Sequence, residues 1–148
     1  MSGDASPELV ALVKSTEVVR IRFTELTAVL DGDRGDLSKP QFRLGFARRV
    51  DQPREFGIRL RCWSESEDGT QLAATAAAEY QIIEETLDVP ETPLLVEFAN
   101  EVAIPMLVPY LREEITSLSS KVFGTGLLLP ILTRGMLVFD PADFVATP

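Results

Sequence analysis

Residues 56–63 read Phe-Gly-Ile-Arg-Leu-Arg-Cys-Trp, which is the cleanest two-residue alternation in the chain. Apolar side chains at every second position alternate with glycine, arginine and tryptophan, as in a β-strand with one face in the core and one in solvent. Trp63 falls on the arginine side of that strand. We therefore expect its indole either to stack against a guanidinium or to remain exposed for a partner.

Three other segments carry the same two-residue period. Residues 18–23 alternate, and the apolar phase then jumps, which indicates a β-bulge near residues 24–25. Residues 42–47 form a second strand, and residues 70–83 form a fourth after a tight hairpin turn at residues 68–69. No helix alternates with these strands, which favours an antiparallel sheet.

Beyond residues 90–93 the apolar period becomes helical, with a stripe of apolar side chains over residues 95–118. Pro105 and Pro109 interrupt the stripe. Because a proline inside a helix costs about 3 kcal/mol, we expect a kink or two helical segments. The helix should end near residues 121–124.

The predicted fold class is therefore α+β: a four-stranded antiparallel sheet backed by a long kinked helix. A chain of 148 residues, 45% of them hydrophobic, fits a single core. We divide it into an N-terminal tail with a short helix over residues 1–15 and one domain over residues 16–148.

Composition narrows the location and the partners. Residues 1–7 carry no secretion signal and the single Cys62 suits a reducing compartment, so we expect a cytoplasmic protein. No uninterrupted apolar stretch approaches the roughly 20 residues that a bilayer requires, so membrane insertion is not expected. The formal net charge of −9 disfavours nucleic acid as a partner.

The chain contains no histidine, which removes the usual general base near neutral pH and the commonest zinc ligand. A Ser–His or Cys–His nucleophilic pair is impossible. The adjacent carboxylates at residues 84–85 and 113–114 point to different sides of any regular element, so they do not form a catalytic pair. We predict that the protein is not an enzyme and uses no cofactor or metal; a glycosidase that uses carboxylates alone is the weakest alternative.

Residues 109–113, Pro-Tyr-Leu-Arg-Glu, and the apolar helix that continues from them resemble the signature helix of the SecB family of bacterial export chaperones. Leu127 and Leu129 fall where that family has alternating leucines, and the order of four strands before a long helix is similar. The resemblance implies assembly as a dimer of dimers, with apolar grooves that hold unfolded clients without ATP. Several members hand clients to the SecA translocase motor, which docks on an acidic outer face of the sheet. Others guard the antitoxin of a toxin–antitoxin pair.

The sequence departs from that family after the helix. Residues 124–126, Gly-Thr-Gly, stand where the family has an aromatic residue and a proline. Residues 131–135 stand in place of a segment that leads into a final helix. We therefore expect the final helix to be missing or replaced by an extended segment.

Two groups of candidate residues belong to the helix and to the apolar surface. The first is the peptide-binding groove, for which ordinary core or tetramer interface is the equal alternative. Its members are Trp63, Phe123, Leu127, Leu129, Ile131, Met136, Leu137 and Phe139. The second is the helix motif, for which a structural role at a subunit contact is expected. Its members are Pro109, Tyr110, Arg112, Glu113, Ile115 and Leu118.

A third group is the predicted partner-docking face on the outward side of the first three strands. Its members are Arg20, Arg22, Arg43, Arg59 and Arg61. Since like charges repel at an interface, a partner adapted to carboxylates should avoid this face, and we expect an acidic or dedicated partner instead of SecA. The alternative is that neighbouring carboxylates pair with these arginines and leave the face nearly neutral.

The leading hypothesis is an ATP-independent holding chaperone, a homo-oligomer that binds extended apolar segments of unfolded or pre-export polypeptides. A second hypothesis is a dedicated chaperone of one partner, such as an antitoxin. A third is a purely structural assembly protein whose apolar surface is used within its own oligomer.

Overall fold

The four predicted strands and the long helix are present in the computed structural model, which describes residues 5–31, 37–49, 51–84, 87, 89–127, 137–140 and 145–147. The α+β class is confirmed. The elements are α1 (Pro7–Lys14), β1 (Thr16–Val29), β2 (Gln41–Arg49), β3 (Gln52–Glu65), β4 (Gln71–Ile82), α2 (Thr92–Phe98), a π-helical turn (Ala99–Ala103), α3 (Ile104–Phe123) and β5 (Val145–Thr147).

The strands form one sheet in the order β1-β4-β3-β2-β5. The first four pair antiparallel, as predicted. β5 adds a fifth strand, parallel to β2, with Val145 opposite Gly45 and Thr147 opposite Ala47. The segment expected to replace the final helix lies mostly outside the described residues, which here include residues 137–140 and the strand Val145–Thr147.

β1 carries two irregularities in its pairing with β4. One shift in register lies between Phe23 and Glu25, where the jump in apolar phase predicted a bulge. The other lies between Val18 and Arg20 and was not predicted, because Val18 and Val19 are both apolar and hide the change of phase. The bulges return Arg20, Arg22 and Glu25 to the same side of the sheet.

Alanines make β4 buried on both of its sides. Ala74, Ala76 and Ala78 face the helix and have no exposed surface. With so little side chain between the backbones, the helix packs close to the centre of the sheet, where Leu107 and Leu111 are also fully buried. The alanines of β4 therefore allow the close approach of the helix to this strand.

The interruption expected near Pro105 takes the form of the π-helical turn. The N–H of Ile104 bonds to the carbonyl of Ala99, five residues earlier, so the helix widens just before the proline. Pro105 then lies in the first turn of α3, where its missing N–H costs little. α3 continues through the exposed Pro109 and ends at Gly124, whose φ of 79° is left-handed.

Residues Thr92–Phe123 are long and apolar enough to cross a bilayer by length and composition. Half of the most apolar window is nevertheless buried inside the protein, as in the core helix of a folded domain. The sequence-based statement that no stretch reaches bilayer length therefore holds only for uninterrupted apolar runs.

An aromatic cluster joins the helix to the sheet. Phe56 and Tyr80 stack with ring centroids 5.3 Å apart, and Phe98 meets both edge-on at 5.5 and 4.9 Å. Offset and edge-to-face pairs of this kind contribute about 0.5–1.5 kcal/mol beyond the area they bury. They fix the start of the long helix over one end of the sheet. Leu9 and Leu12 of α1 extend the same core.

Candidate functional site

A cleft on the helix side of the sheet brings together three of the predicted site residues. It has a volume of about 160 Å³. We call it the helix-side cleft. Its lining consists of Pro40, Cys62, Trp63, Ser64, Leu72, Ile115 and Leu127. Burial raises the pKa of the Cys62 thiol to about 12, so this group stays protonated and serves as an apolar wall.

Two side chains of α3 hold the backbone of Leu127 at the edge of this cleft. The Leu127 N–H donates to Oγ of Ser119 at 2.7 Å, and the Leu127 carbonyl lies 3.1 Å from Oγ1 of Thr116. Ser119 is fully buried, and its own hydroxyl donates to the carbonyl of Ile115 at 2.7 Å. The Thr116 hydroxyl also lies 2.9 Å from the carbonyl of Arg112, so its one hydrogen is shared between two carbonyls. The shorter of the two contacts to Leu127 is the one made by Ser119.

Gly126 allows the chain to return so closely. A Cβ atom at Gly126 would lie 2.8 Å from Oγ of Ser120 and 3.2 Å from Cγ2 of Thr116. A larger residue would fit here only if the Ser120 hydroxyl and the Thr116 methyl group moved. Residues 124–126, which depart from the resembled family, thus make a tight reversal onto α3.

A second backbone clamp lies at the π-helical turn. Asn100 donates from Nδ2 to the carbonyl of Phe139, and its Oδ1 accepts from the N–H of Phe139, both at 2.9 Å. One amide side chain thereby pairs with both polar groups of an extended residue, as a neighbouring strand does. π-helical turns occur often at functional sites, and here the turn carries the residue that binds main chain.

The predicted groove residues are largely buried in their own chain. Phe123 belongs to the core, and Leu127, Leu137 and Phe139 are partly buried and packed against it. The core alternative given for these four residues is therefore the arrangement in this structure. Leu129, Ile131 and Met136 lie outside the described residues.

Sequence reasoning missed the three polar residues that hold the backbone: Asn100, Thr116 and Ser119. A signal was present, since Ser119 falls on the apolar stripe of α3, where an isolated hydroxyl requires a partner. Asn100 is four residues before Ile104, at the point where the prolines disturb the helix. What each side chain binds depends on segments far along the chain.

The helix motif lies along α3 with its members on different sides. Ile115 is buried and Leu118 is partly buried, whereas Pro109, Tyr110 and Glu113 are exposed. Arg112 is half-buried and makes its own polar contacts. An open depression of about 420 Å³ runs along this outward side between Pro109 and Ser117.

The five predicted arginines lie together on the face of the sheet away from the helix. Arg20 and Arg22 both pair with Glu79, with 3.0 Å between Nη2 of Arg22 and Oε1 of Glu79. Arg61 donates to Glu25, with 2.8 Å between Nε and Oε1. The neutralising alternative is therefore observed for these three arginines.

The Arg61 hydrogen bond holds the pKa of the Glu25 carboxyl below its usual range, and Thr75 Oγ1 donates to the same carboxylate at 2.9 Å.

Trp63 stacks against guanidinium groups, the first of its two predicted arrangements. The Arg61 guanidinium carbon lies 4.8 Å from the centre of the indole, and that of Arg43 lies 5.6 Å away. Both distances are within the range of a cation–π interaction. The indole thus fixes two arginines at the surface.

Within the described residues, no three cysteine, aspartate or glutamate side chains converge in a way that would hold a metal ion. The described residues thus form two backbone clamps on the helix side, both occupied by this chain's own main chain, and an outer face that presents arginine side chains.

Comparison with known proteins gives a likeness of fold. No family model matches the sequence, and no curated protein matches it. A SecB-like chaperone of Mycobacterium tuberculosis, solved in complex with a ChAD peptide from the HigA1 antitoxin, superimposes with a TM-score of 0.67 at 20% identity, covering 83% of this chain and 95% of that one. A Streptococcus agalactiae protein of unknown function gives a TM-score of 0.47 at 12% identity, covering 78% of this chain and 97% of that one. The SecB-like fold expected from residues 109–113 is confirmed.

Proposed function

We propose that this protein is a SecB-like chaperone that holds extended polypeptide segments without a nucleotide. The observation that carries the proposal is the pair of backbone clamps, at Leu127 and at Phe139, on a fold shared with a SecB-like chaperone. Each clamp binds main-chain N–H and C=O groups, which every polypeptide has. A surface built this way accepts extended segments with little regard to their sequence.

The chain's own C-terminal segment occupies both clamps in this structure. An apolar client segment would bind beside it or replace it, with side chains entering the helix-side cleft next to Ile115 and Leu72. The cleft alone has a volume of about 160 Å³, which suits one apolar side chain of a client. Affinity for a long client would then come from several such contacts along the chain.

Assembly into a homo-oligomer, a dimer of dimers, is part of this proposal. β1 stands at one edge of the sheet and is 14 residues long. Its side chains Val18, Val19, Leu26 and Val29 are each about half exposed. A long apolar edge strand pairs readily with another chain, and a second copy of β1 would cover it.

A dedicated antitoxin chaperone is the second candidate function. What favours it is that the M. tuberculosis chaperone with this fold was solved with an antitoxin peptide. The same clamps would then serve one client instead of many. A cytoplasmic location suits both functions, because buried Cys62 is the single cysteine and would remain a thiol there.

The test is to dilute a chemically unfolded client into buffer with and without the purified protein, in the absence of nucleotide. We expect light scattering to fall as the protein approaches the client concentration, and a complex to elute earlier than the protein alone in size-exclusion chromatography. If several unrelated clients aggregate as fast with the protein as without it, general holding is wrong. If, in addition, the oligomer binds no peptide in a tiled antitoxin library, the structural assembly hypothesis is left.

A further inference from the structure

The centre of the outer face concentrates positive charge in a way that the fold does not require. Arg43 and Arg61 stand directly opposite each other in the pairing of β2 with β3. Like charges directly opposite on a sheet are destabilising. The next pair on this face sets Arg59 opposite Gly45, so three guanidinium groups surround one glycine.

These groups line an open cleft of about 240 Å³, which we call the arginine cleft. Its lining consists of Thr24, Arg43, Leu44, Gly45, Arg59, Arg61 and Thr75. Thr24 is the residue at the β1 bulge, and bulges commonly re-aim a side chain in this way. Hydroxyl groups and guanidinium groups thus converge on one space.

Arg61 bonds to the carboxylate of Glu25 on the β1 side of the cleft, and Arg59 makes contacts of its own. Among the residues that the structure describes, Arg43 makes no ion pair, and its guanidinium contacts the indole of Trp63. Stacking orients the Arg43 guanidinium in advance while leaving its N–H donors for a ligand.

We propose that the arginine cleft docks an acidic peptide segment of a partner protein. A carboxylate matches the donor pattern of an arginine, which binds it through two parallel hydrogen bonds. The cleft is smaller than the roughly 300–1,000 Å³ of typical small-molecule sites, which suits one or two acidic side chains of a peptide. Neighbouring acidic residues of the partner would then lie along Arg59.

Nucleic acid fits this face less well than an acidic peptide. The protein carries a net charge of −9, which repels any anion at long range. It repels a long phosphate backbone more than a short peptide with a few carboxylates, because the repulsion grows with the charge of the ligand. Two carboxylates also confine the positive charge to a local patch. Glu79 pairs with Arg20 and Arg22, and Glu25 pairs with Arg61. Binding along a duplex or a long strand needs a continuous basic track.

This docking surface lies on the opposite side of the sheet from the backbone clamps. A partner could therefore bind the arginine cleft while a client is held on the helix side. The proposal does not depend on the holding function, and either one can fail without the other.

The experiment titrates the whole protein with a fluorescein-labelled peptide of twelve residues in which four glutamates alternate with serine and glycine. Binding is followed by anisotropy, and by the emission of Trp63, the single tryptophan, which stacks against Arg43 and Arg61 of the cleft. The matched peptide has glutamine in place of each glutamate. We expect the acidic peptide to bind more tightly, with an affinity that falls as salt is raised.

Arg43→Glu should weaken the acidic peptide by about tenfold, since it replaces one attraction by one repulsion. Arg43→Gln should weaken it less, and a peptide with lysine in place of glutamate should bind Arg43→Glu better than the original protein. The control is Lys121→Glu, an equal change of charge at an exposed residue of α3, which should leave the affinity for the acidic peptide unchanged. Suppression of client aggregation should be the same in all variants.

Any one of three results would overturn the proposal. The first is a glutamine peptide that binds as tightly as the glutamate peptide, and the second is a Lys121→Glu variant that loses as much affinity as Arg43→Glu. The third is a single-stranded oligonucleotide of equal charge that binds the cleft more tightly than the acidic peptide at the same salt concentration.

Discussion

Asn100 binds both main-chain polar groups of Phe139, a residue 39 positions further along the chain. The contact ties the backbone of Phe139 to the helix at the point where the helix widens. Because it uses an amide side chain and no particular partner side chain, Phe139 itself can change without loss of these two hydrogen bonds. The clamp therefore makes predictions that do not depend on the proposed function.

Replacing Asn100 by alanine should release the Phe139 backbone. Two hydrogen bonds are lost, each contributing about 0.5–1.5 kcal/mol, so the free energy of unfolding should fall by about 1–3 kcal/mol. Hydrogen exchange should speed up at the amide of Phe139 first. Asn100→Asp keeps the acceptor and loses the donor, and should give an intermediate result. Unchanged exchange at Phe139 in the alanine variant would show that the clamp is not formed in solution.

Replacing Gly126 by alanine should force the reversal after α3 away from the helix. The new Cβ atom would lie 2.8 Å from Oγ of Ser120, and overpacking of this kind typically costs about 1–3 kcal/mol. Thermal unfolding measures the loss. Adding Ser120→Ala should restore part of it, because the closest contact is removed. A Gly126→Ala protein as stable as the original would mean that the segment packs elsewhere.

The Glu25 carboxylate should give the protein a pH-dependent stability at acid pH. Its pKa is lowered in the folded state by the Arg61 hydrogen bond, so folding favours the charged form. That contribution is fully present above the unfolded-state pKa of about 4.3 and is lost as pH falls through the lower folded-state value. Glu25→Gln should flatten this part of the curve of unfolding free energy against pH. A curve that remains parallel to that of the original protein would contradict it.

Replacing Leu127 and Leu129 by serine should weaken client binding and leave the oligomer intact, if these leucines line the groove. Leu127 borders the helix-side cleft, so a hydroxyl there removes apolar contact surface. Client binding is measured by anisotropy of a labelled unfolded peptide, and the oligomer by sedimentation. Thr125→Ser, at an exposed residue outside the cleft, is the control. Dissociation to monomers with unchanged peptide binding would assign the leucines to the subunit interface.

SecA should be absent from the proteins that this chain captures from a cell lysate. The outer face carries Arg43 beside Arg61 at its centre, where a partner adapted to carboxylates meets like charge. Pull-down followed by direct probing for SecA makes the measurement. Salt-sensitive capture of SecA that is abolished by Arg59→Glu together with Arg61→Glu would prove the prediction wrong.

Local patterns predicted the parts of the fold that local rules control. The alternation at residues 56–63 identified β3, the phase jump at residues 24–25 identified one bulge, and glycine at residue 124 identified the end of α3. The outward position of the arginines followed from the same alternation. The pairing of β5 with β2 was not predicted, because it depends on contacts between distant segments.

The backbone clamps were missed for a related reason. Asparagine, serine and threonine on a helix have many possible partners, and only the return path of the chain selects one. The path after α3 is set by Gly124 and Gly126 together, one through its left-handed φ and one through the space it leaves. Neither effect can be read from hydrophobic periodicity.

The strand order also governs how the protein emerges from the ribosome. β1 is made first, yet its partner is β4, with Thr16 opposite Ile82. β3 and β4 meet across a short turn, with Glu65 opposite Gln71, and can form as soon as they leave the exit tunnel. Until β4 has been made, the edge of β1 that will pair with it is open to neighbouring nascent chains. During its own synthesis this protein passes through the same exposed state as the polypeptides that it is proposed to hold.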